Sequence, residues 1–258
     1  MALSIDTPLC DPRRLRARGY DGPVLRAILF DFNGVLLDDE GVHFELFRRI
    51  LGELGIELDE GVYYRDYVGF DDEAGFAHAL RGREDQADDL LLRRLCARKA
   101  AYYQEHFRQH PYPFFPGAAR LVREASGAGV DLGIVSGALR SEIEPALRQE
   151  DLLGYFKVIV AAEDTQTSKP DPDGYLLAMS LLNSRQPLPE RLLHPHEVLA
   201  IEDTEAGLQA ASAAGLLTLA VSHTQPPAAL GRADLVVERL ADLSLAELSG
   251  RLLEVSRR

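Results

Sequence analysis

Cysteine is scarce in this chain, with only Cys10 and Cys96 among 258 residues. Neither sits in a metal-type pair, and two thiols make no disulfide framework, so neither a zinc site nor a cross-linked secreted scaffold is expected. Excess positive charge is also missing. Lys and Arg number 28 against 41 Asp and Glu, a formal net charge of −13. That balance excludes a general basic surface for nucleic acid or an acidic membrane, but it leaves room for a local basic pocket that takes a small anion. No run of about 18 apolar residues is present to span a membrane. The start, MALSIDTPLCDPRRLRARG, lacks the uninterrupted apolar stretch of a signal peptide. The expectation is a soluble, cytoplasmic protein without nucleic-acid or membrane partners. Internal repeats and low-complexity tracts are absent.

What is present is 46% hydrophobic residues, enough for a core, over a length that suits one large domain or a main domain with a smaller insert. Residues 1–24 are polar and carry Pro8, Pro12 and Pro23, which predicts an extended lead-in. AILFDF, Ala27 to Phe32, is a short apolar run that closes on an acid, as a buried parallel strand does. From about Glu40 the pattern changes. HFELFRRILGEL sets Phe44, Phe47, Ile50, Leu51 and Leu54 at helical spacing, and ADDLLLRRLCARKAAYYQEHF predicts a long amphipathic helix. Nothing up to Tyr112 reads as a strand, and Pro111, Pro113 and Pro116 stop the helix.

Beyond Pro116, strands and helices alternate. Strands are predicted over 130–136, 156–161, 198–203 and 216–221 and in DLVVE, with helices between them and one at the end. Alternation of this kind argues for an α/β protein: a Rossmann-like parallel sheet with helices on both faces and an inserted helical cap. The expected boundaries are a lead-in over 1–24, a core from 25–39 and 113–258, and a cap over 40–112.

Ligands of open parallel sheets bind beyond the carboxyl ends of the strands. The first strand ends at Asp31, followed by Phe32, Asn33 and Gly34. The second ends at Ser136-Gly137, the third runs on toward Lys169, and the fourth ends at Glu202-Asp203. Carboxylates suit a hard cation such as magnesium, Lys169 and Ser136 suit phosphate oxygens, and a carboxylate can itself attack phosphorus. Together these ends make a self-consistent phosphoryl-transfer site.

These segments resemble the haloacid-dehalogenase-like superfamily, in its branch of small-molecule phosphatases and sugar-phosphate mutases. DFNGVLLDDE resembles the first motif of that family, IVSGAL the second, KPDPDGY the third and IEDTEAG the fourth, in the expected order over roughly residues 26–240. The resemblance implies that Asp31 is a nucleophile that becomes an aspartyl-phosphate. It implies that Asp31 and Asp203 bind Mg²⁺ together with the Asn33 backbone carbonyl, and that Glu202 stands behind them or binds through water. Ser136 and Lys169 would hold the phosphoryl group, with Gly137 beside them. The substrate implied is a small phosphorylated metabolite.

One residue departs from the pattern. The phosphatases of that family usually carry a second Asp, a general acid/base, where this chain has Asn33. An amide cannot transfer protons, and losing a general acid/base costs roughly 10²- to 10⁴-fold. The protein is then a slow phosphatase, one that prefers good leaving groups such as acyl phosphates, or one in which another group substitutes. His43 is the candidate substitute, with a pKa suited to proton transfer; packing on the linker helix is its plainer role. Asp38 and Asp39 read as helix-start residues. Asn33-Gly34 is a dipeptide prone to deamidation, which would regenerate an aspartate. In the cap, Phe70, Asp71 and Asp72 fall where some relatives place specificity residues, though capping and packing explain them equally. VGFDD lacks the Arg that mutases of this branch use for a second phosphate. Lys99 is the cap's only lysine, and its place deep in the long helix speaks against an imine-forming phosphonate hydrolase. A metal-free dehalogenase would not need Asp203. A catalytically degenerate binder and a sugar-phosphate mutase stand as alternatives.

Overall fold

A computed structural model describes residues 25–81, 88–186 and 191–255. The expected lead-in over 1–24 lies outside the described residues, as does Cys10.

After strand β1 (Ala27–Phe30) come four helices: α1 (Glu40–Glu53), α2 (Glu60–Asp66), α3 (Asp72–Ala79) and α4 (Asp89–Gln109). The alternating part follows as α5 (Ala118–Gly127), β2 (Asp131–Val135), α6 (Arg140–Gln149), β3 (Phe156–Val160), α7 (Asp173–Ser184) and β4 (Val198–Glu202). It closes with α8 (Glu205–Ala213), β5 (Leu217–Val221), β6 (Leu235–Val237) and α9 (Leu245–Val255). Each apolar run read as a strand forms one. The six strands are parallel in the order β3-β2-β1-β4-β5-β6.

Both faces of the sheet are buried, so its central strands are apolar throughout rather than alternating. β1 and β4 are buried at every position. Ile28, Phe30, Ile134 and Ile201 point to one face, where they pack on α5, α6 and α9 through Leu121, Ile143 and Leu248. Ala27, Leu29, Val160 and Ala200 point to the other, against Tyr175 and Met179 of α7 and Ala210 of α8. This is the predicted fold class.

The helical cap is inserted between β1 and α5 and has its own apolar centre, in which Phe44, Phe47, Ile50, Leu51, Tyr63, Phe76, Leu92 and Leu95 are buried together. No strand occurs among its described residues. Side chains of Asp59, Asp71 and Asp88 accept the N–H groups of Val62, Ala74 and Leu91 and so cap α2, α3 and α4. The two linkers to the cap run side by side: Leu37 bridges Phe114, and the Asp38 N–H donates to the Pro113 carbonyl at 2.9 Å. At its far end, the turn after α2 leans on the core. A Cβ on Gly69 would lie 3.5 Å from the Thr204 Cβ, and one on Gly137 would lie 3.5 Å from the Asp71 Cβ. Among the described residues, no helix is long and apolar enough to cross a membrane.

Candidate active site

Strand order reverses at β1, which is flanked by β2 on one side and β4 on the other. Crevices at the carboxyl ends beside such a reversal are the ordinary ligand site of open α/β sheets. Phe30 is in register with Ile201, and the Asp31 N–H donates to the Ile201 carbonyl at 2.9 Å, so Asp31 emerges beside Glu202 and Asp203. Asp31, Asn33, His43, Ser136, Gly137, Lys169 and Asp203 line one cavity of about 540 Å³ between cap and core. Glu202 is fully buried at its base.

Lys169 ties these ends together. Its Nζ lies 2.7 Å from Asp31 Oδ2 and 2.7 Å from Glu202 Oε1. Burial opposes the ammonium, but the two carboxylates outweigh it and hold the Lys169 pKa above its usual value. The Tyr175 hydroxyl donates to Glu202 Oε1, while Oε2 is buried without a protein partner. Burial pushes the Glu202 carboxyl well up, with Lys169 pulling it down. Asp203 is 2% exposed and accepts from the Thr224 hydroxyl. Burial, and then the charge of Asp31, push the Asp203 carboxyl up to about 8.

Two glycines make room for these acids. A Cβ on Gly207 of α8 would lie 2.0 Å from Glu202 Oε2. Gly34 has φ +73°, and a Cβ there would lie 1.9 Å from Asp203 Oδ2. Asp31, Glu202 and Asp203 each present a carboxylate oxygen, all within 4.8 Å of one another. Buried acids this close, one with an unpartnered oxygen, form a donor set that fits a hard, oxygen-seeking divalent cation.

Ser136 is 8% exposed, and its Oγ accepts from the Ala138 N–H at 3.2 Å, leaving its own proton to donate. Gly137 carries no side chain where the cap turn approaches at Asp71.

The cap side is organised around His43. Its Nδ1 lies 2.7 Å from Lys99 Nζ, and its Nε2 lies 3.1 Å from Asp39 Oδ2 and 2.8 Å from Asn33 Nδ2. Lys99 is fully buried, reaches Asp72 Oδ1 at 2.5 Å and stands over the Phe47 ring. The Tyr103 hydroxyl donates to Asp39 Oδ2 at 2.6 Å. With Lys99 donating to Nδ1, the imidazole proton belongs on Nε2, where Asp39 accepts it. An amide nitrogen facing that N–H is then the wrong atom. Turning the Asn33 amide over sets its Oδ1, which is buried without a partner, against the Nε2–H. Burial and the Lys99 ammonium lower the His43 pKa, but Asp39 and Glu40 outweigh them, so the net direction is upward. A second proton on the ring would set an N–H against the Lys99 ammonium, whose other partner is Asp72.

Two expectations change. Asp39 precedes α1 without capping it, because its carboxylate is turned to His43 and Tyr103. Asp71 caps α3 as expected, but Asp72 pairs with Lys99 instead. Lys99 lies deep in its helix as expected, fully buried and outside the cavity lining, and it holds His43 and Asp72. A signal for it existed in the sequence: Leu92, Leu95 and Tyr103 mark the buried stripe of α4, and Lys99 falls on that stripe. Tyr175 and Gly207 close the segments KPDPDGY and IEDTEAG, which by themselves assign them no role, and Thr224 lies outside every motif. Deamidation of Asn33 is opposed by the structure, since the Gly34 nitrogen that must attack is bonded to the Leu37 carbonyl at 3.0 Å.

Residues 28–221 match the profile of the haloacid dehalogenase-like hydrolases. Validoxylamine A 7'-phosphate phosphatase of Streptomyces hygroscopicus subsp. limoneus is 28% identical over 84% of this chain and 95% of its own. Beta-phosphoglucomutase of Bacillus subtilis is 30% identical over 86% of this chain and 92% of its own. Among solved structures, beta-phosphoglucomutase of Clostridium difficile superposes with a TM-score of 0.79 over 91% of this chain and 100% of its own at 20% identity, which bears on the fold. CbbY of Rhodobacter sphaeroides in complex with phosphate does so with a TM-score of 0.75 over 87% of this chain and 99% of its own at 26% identity.

Proposed function

This chain belongs to the haloacid dehalogenase-like hydrolases, and from that premise we propose that it is a magnesium-dependent phosphatase acting on a small phosphate monoester, in the cytoplasm, through a phosphorylated Asp31. The observation that carries this reading is the arrangement of Asp31, Lys169, Glu202 and Asp203 at adjoining strand ends beneath a cap. Relatives named as phosphatases of phosphorylated small molecules agree with it.

Asp31 attacks phosphorus and the ester oxygen departs; water then releases phosphate and restores the carboxylate. Lys169 balances charge at Asp31 and on the phosphoryl group, and Ser136 donates its hydroxyl proton to a phosphoryl oxygen. Asp31, Asp203 and Glu202, with the Asn33 carbonyl, are the groups that would hold Mg²⁺, which when bound neutralises charge between carboxylate and phosphoryl oxygens. The cap turn at Gly69 and Asp71 excludes bulk water.

Asn33 orients a ligand but transfers no proton. His43 is the titratable group against it, one amide away, and takes the proton-transfer role, with Lys99 fixing its tautomer. A mutase that handles a second phosphate is the other reading. No arginine lines the cavity among the described residues, which favours the phosphatase.

Phosphate release from a panel of sugar phosphates and acyl phosphates, with Mg²⁺ and with chelator, tests the proposal. Turnover that needs Mg²⁺ and is lost in Asp31→Asn supports it. Silence of both the wild type and Asn33→Asp across the panel removes it, and silence of the wild type alone identifies a binder.

A further inference from the structure

Beyond the Asp31–Lys169 pair and Asp203, the carboxylates on the cavity wall are Glu40, Asp71, Asp72, Glu142 and Glu163, with the exposed Glu73 and Asp171 also lining it. Four of the first five are engaged by the protein. Glu40 accepts from the Tyr63 hydroxyl at 2.6 Å, and Asp71 caps α3. Asp72 pairs with Lys99, and Glu163 accepts from the Arg140 backbone N–H at 3.1 and 3.2 Å. Glu142 differs. It is 5% exposed, and its Oε2 accepts from the Leu139 N–H at 3.1 Å, but its Oε1 is buried with no partner.

A buried carboxylate oxygen without a hydrogen bond is costly, and a ligand that brings a donor relieves the cost. Among the described residues no cation hydrogen-bonds Oε1, although Lys99 and His43 act on the carboxyl through their charge. The Arg140 guanidinium is held by Asp164 at 2.5 Å and by the Ile159 carbonyl at 2.9 Å. Glu142 stands on α6 and lines the cavity together with His43 and Asp72 of the cap, on the side where the departing half of a phosphate ester sits once Lys169 holds the phosphoryl group. Burial raises its carboxyl above the usual range, while Lys99 and His43 pull it down. A second phosphate there faces carboxylates on several sides, whereas a cation is welcome.

We infer that the departing half of the substrate carries a protonated amine received by Glu142 Oε1, so that the substrate class is an amino-alcohol or amino-sugar monophosphate. This rests on the phosphatase reading, and it makes Glu142 a specificity residue at a position none of the four motifs marks.

The test uses two matched pairs at neutral pH with Mg²⁺: glucosamine 6-phosphate against glucose 6-phosphate, and phosphoethanolamine against 2-hydroxyethyl phosphate. Members of each pair differ by an ammonium for a hydroxyl. The expected wild-type result is a kcat/KM ratio of roughly tenfold or more in favour of the amine in at least one pair, with fructose 1,6-bisphosphate disfavoured. Glu142→Gln is expected to bring that ratio close to one, and Glu142→Asp to retain part of it. Equal or reversed preference in both pairs overturns the inference, as does a preference that survives Glu142→Gln. Acetyl phosphate, which carries neither group, reports on the phosphatase reading alone. If it and every ester are left intact, that reading fails, and calorimetric binding of the same pairs to Asp31→Asn still decides the role of Glu142 by the same ratio.

Discussion

Two buried lysines hold the acids and the histidine of the site, and they are built differently. Lys169 bridges acids that stand at the ends of adjacent strands, each 2.7 Å away, and parallel-sheet register sets their spacing. Lys99 is fully buried in a long cap helix and meets His43 and Asp72 from two other cap helices. The first arrangement is fixed by backbone hydrogen bonds. The second depends on how side chains of three helices pack. Chemistry that must not vary belongs with the first, and tuning of proton position and substrate fit with the second.

Removal of charge from each half sharpens the contrast. Asp31→Asn deletes the nucleophile and is expected to lower kcat by about 10⁴-fold or more, and Lys169→Met by about 10²- to 10⁴-fold, in single-turnover phosphate release. Losses below tenfold in either would place the chemistry elsewhere. Asn33→Asp works in the opposite direction. It places a carboxyl 2.8 Å from the His43 ring and is expected to raise kcat on sugar phosphates by roughly tenfold or more, with little gain on acyl phosphates, whose leaving groups need no proton. The gain stays short of the roughly 10²- to 10⁴-fold worth of a whole general acid/base because His43 already carries part of that role. An equal gain on both classes would remove the acid/base explanation.

Reading the sequence served the two halves unequally, for a physical reason. Asp31, Ser136 and Glu202-Asp203 sit where short apolar runs end, and strand ends are visible as a change from apolar to polar residues, while Lys169 lies in the polar loop that follows β3. The parallel sheet follows from the alternation of strands and helices, whereas its strand order is seen only in the structure. The cap side depends on interhelical packing, which one chain does not reveal. Lys99 was visible as a charge on the apolar stripe of α4, yet nothing indicated that it faces His43 across the bundle. The Tyr175 and Thr224 contacts to Glu202 and Asp203 span sequence separations of 27 and 21 residues, beyond the reach of local pattern.

The next effect is smaller and belongs to the cap. Lys99→Met keeps the aliphatic stem but leaves His43 Nδ1 without its donor and Asp72 without its partner, and it is expected to cost about 1–3 kcal/mol in stability. Because the ammonium opposes protonation of His43, its loss is expected to raise the His43 pKa further, which titration of the ring resonances by NMR would register. A downward or absent shift would mean that the two groups do not share a proton. In phosphate release, the acidic limb of the pH profile should move upward with it.

The smallest effect separates the halves most cleanly. Asp203 holds its proton up to about 8 in the folded chain, because burial and the charge of Asp31 disfavour its carboxylate, whereas its unperturbed value is 3.8. Between those values the folded state binds a proton that the unfolded state has released. The resulting stability is present at low pH and is lost as pH rises through about 8. Mg²⁺ competes with that proton and binds the ionised form, so its stabilising effect should grow over the same window. Melting with chelator at pH 6 and pH 9 should show a lower Tm at the higher pH, and Mg²⁺ should raise Tm by a few degrees more at pH 9 than at pH 6, since about 1 kcal/mol corresponds to roughly 2–4 °C at this size. The same Mg²⁺ increment is expected in Lys99→Met, whose change lies wholly in the cap, and a reduced one in Thr224→Val, which removes the hydroxyl that orients Asp203. An increment independent of pH, or one that disappears with Lys99, would show that cation binding is not governed by the strand-end acids and that the two halves of the site act as one.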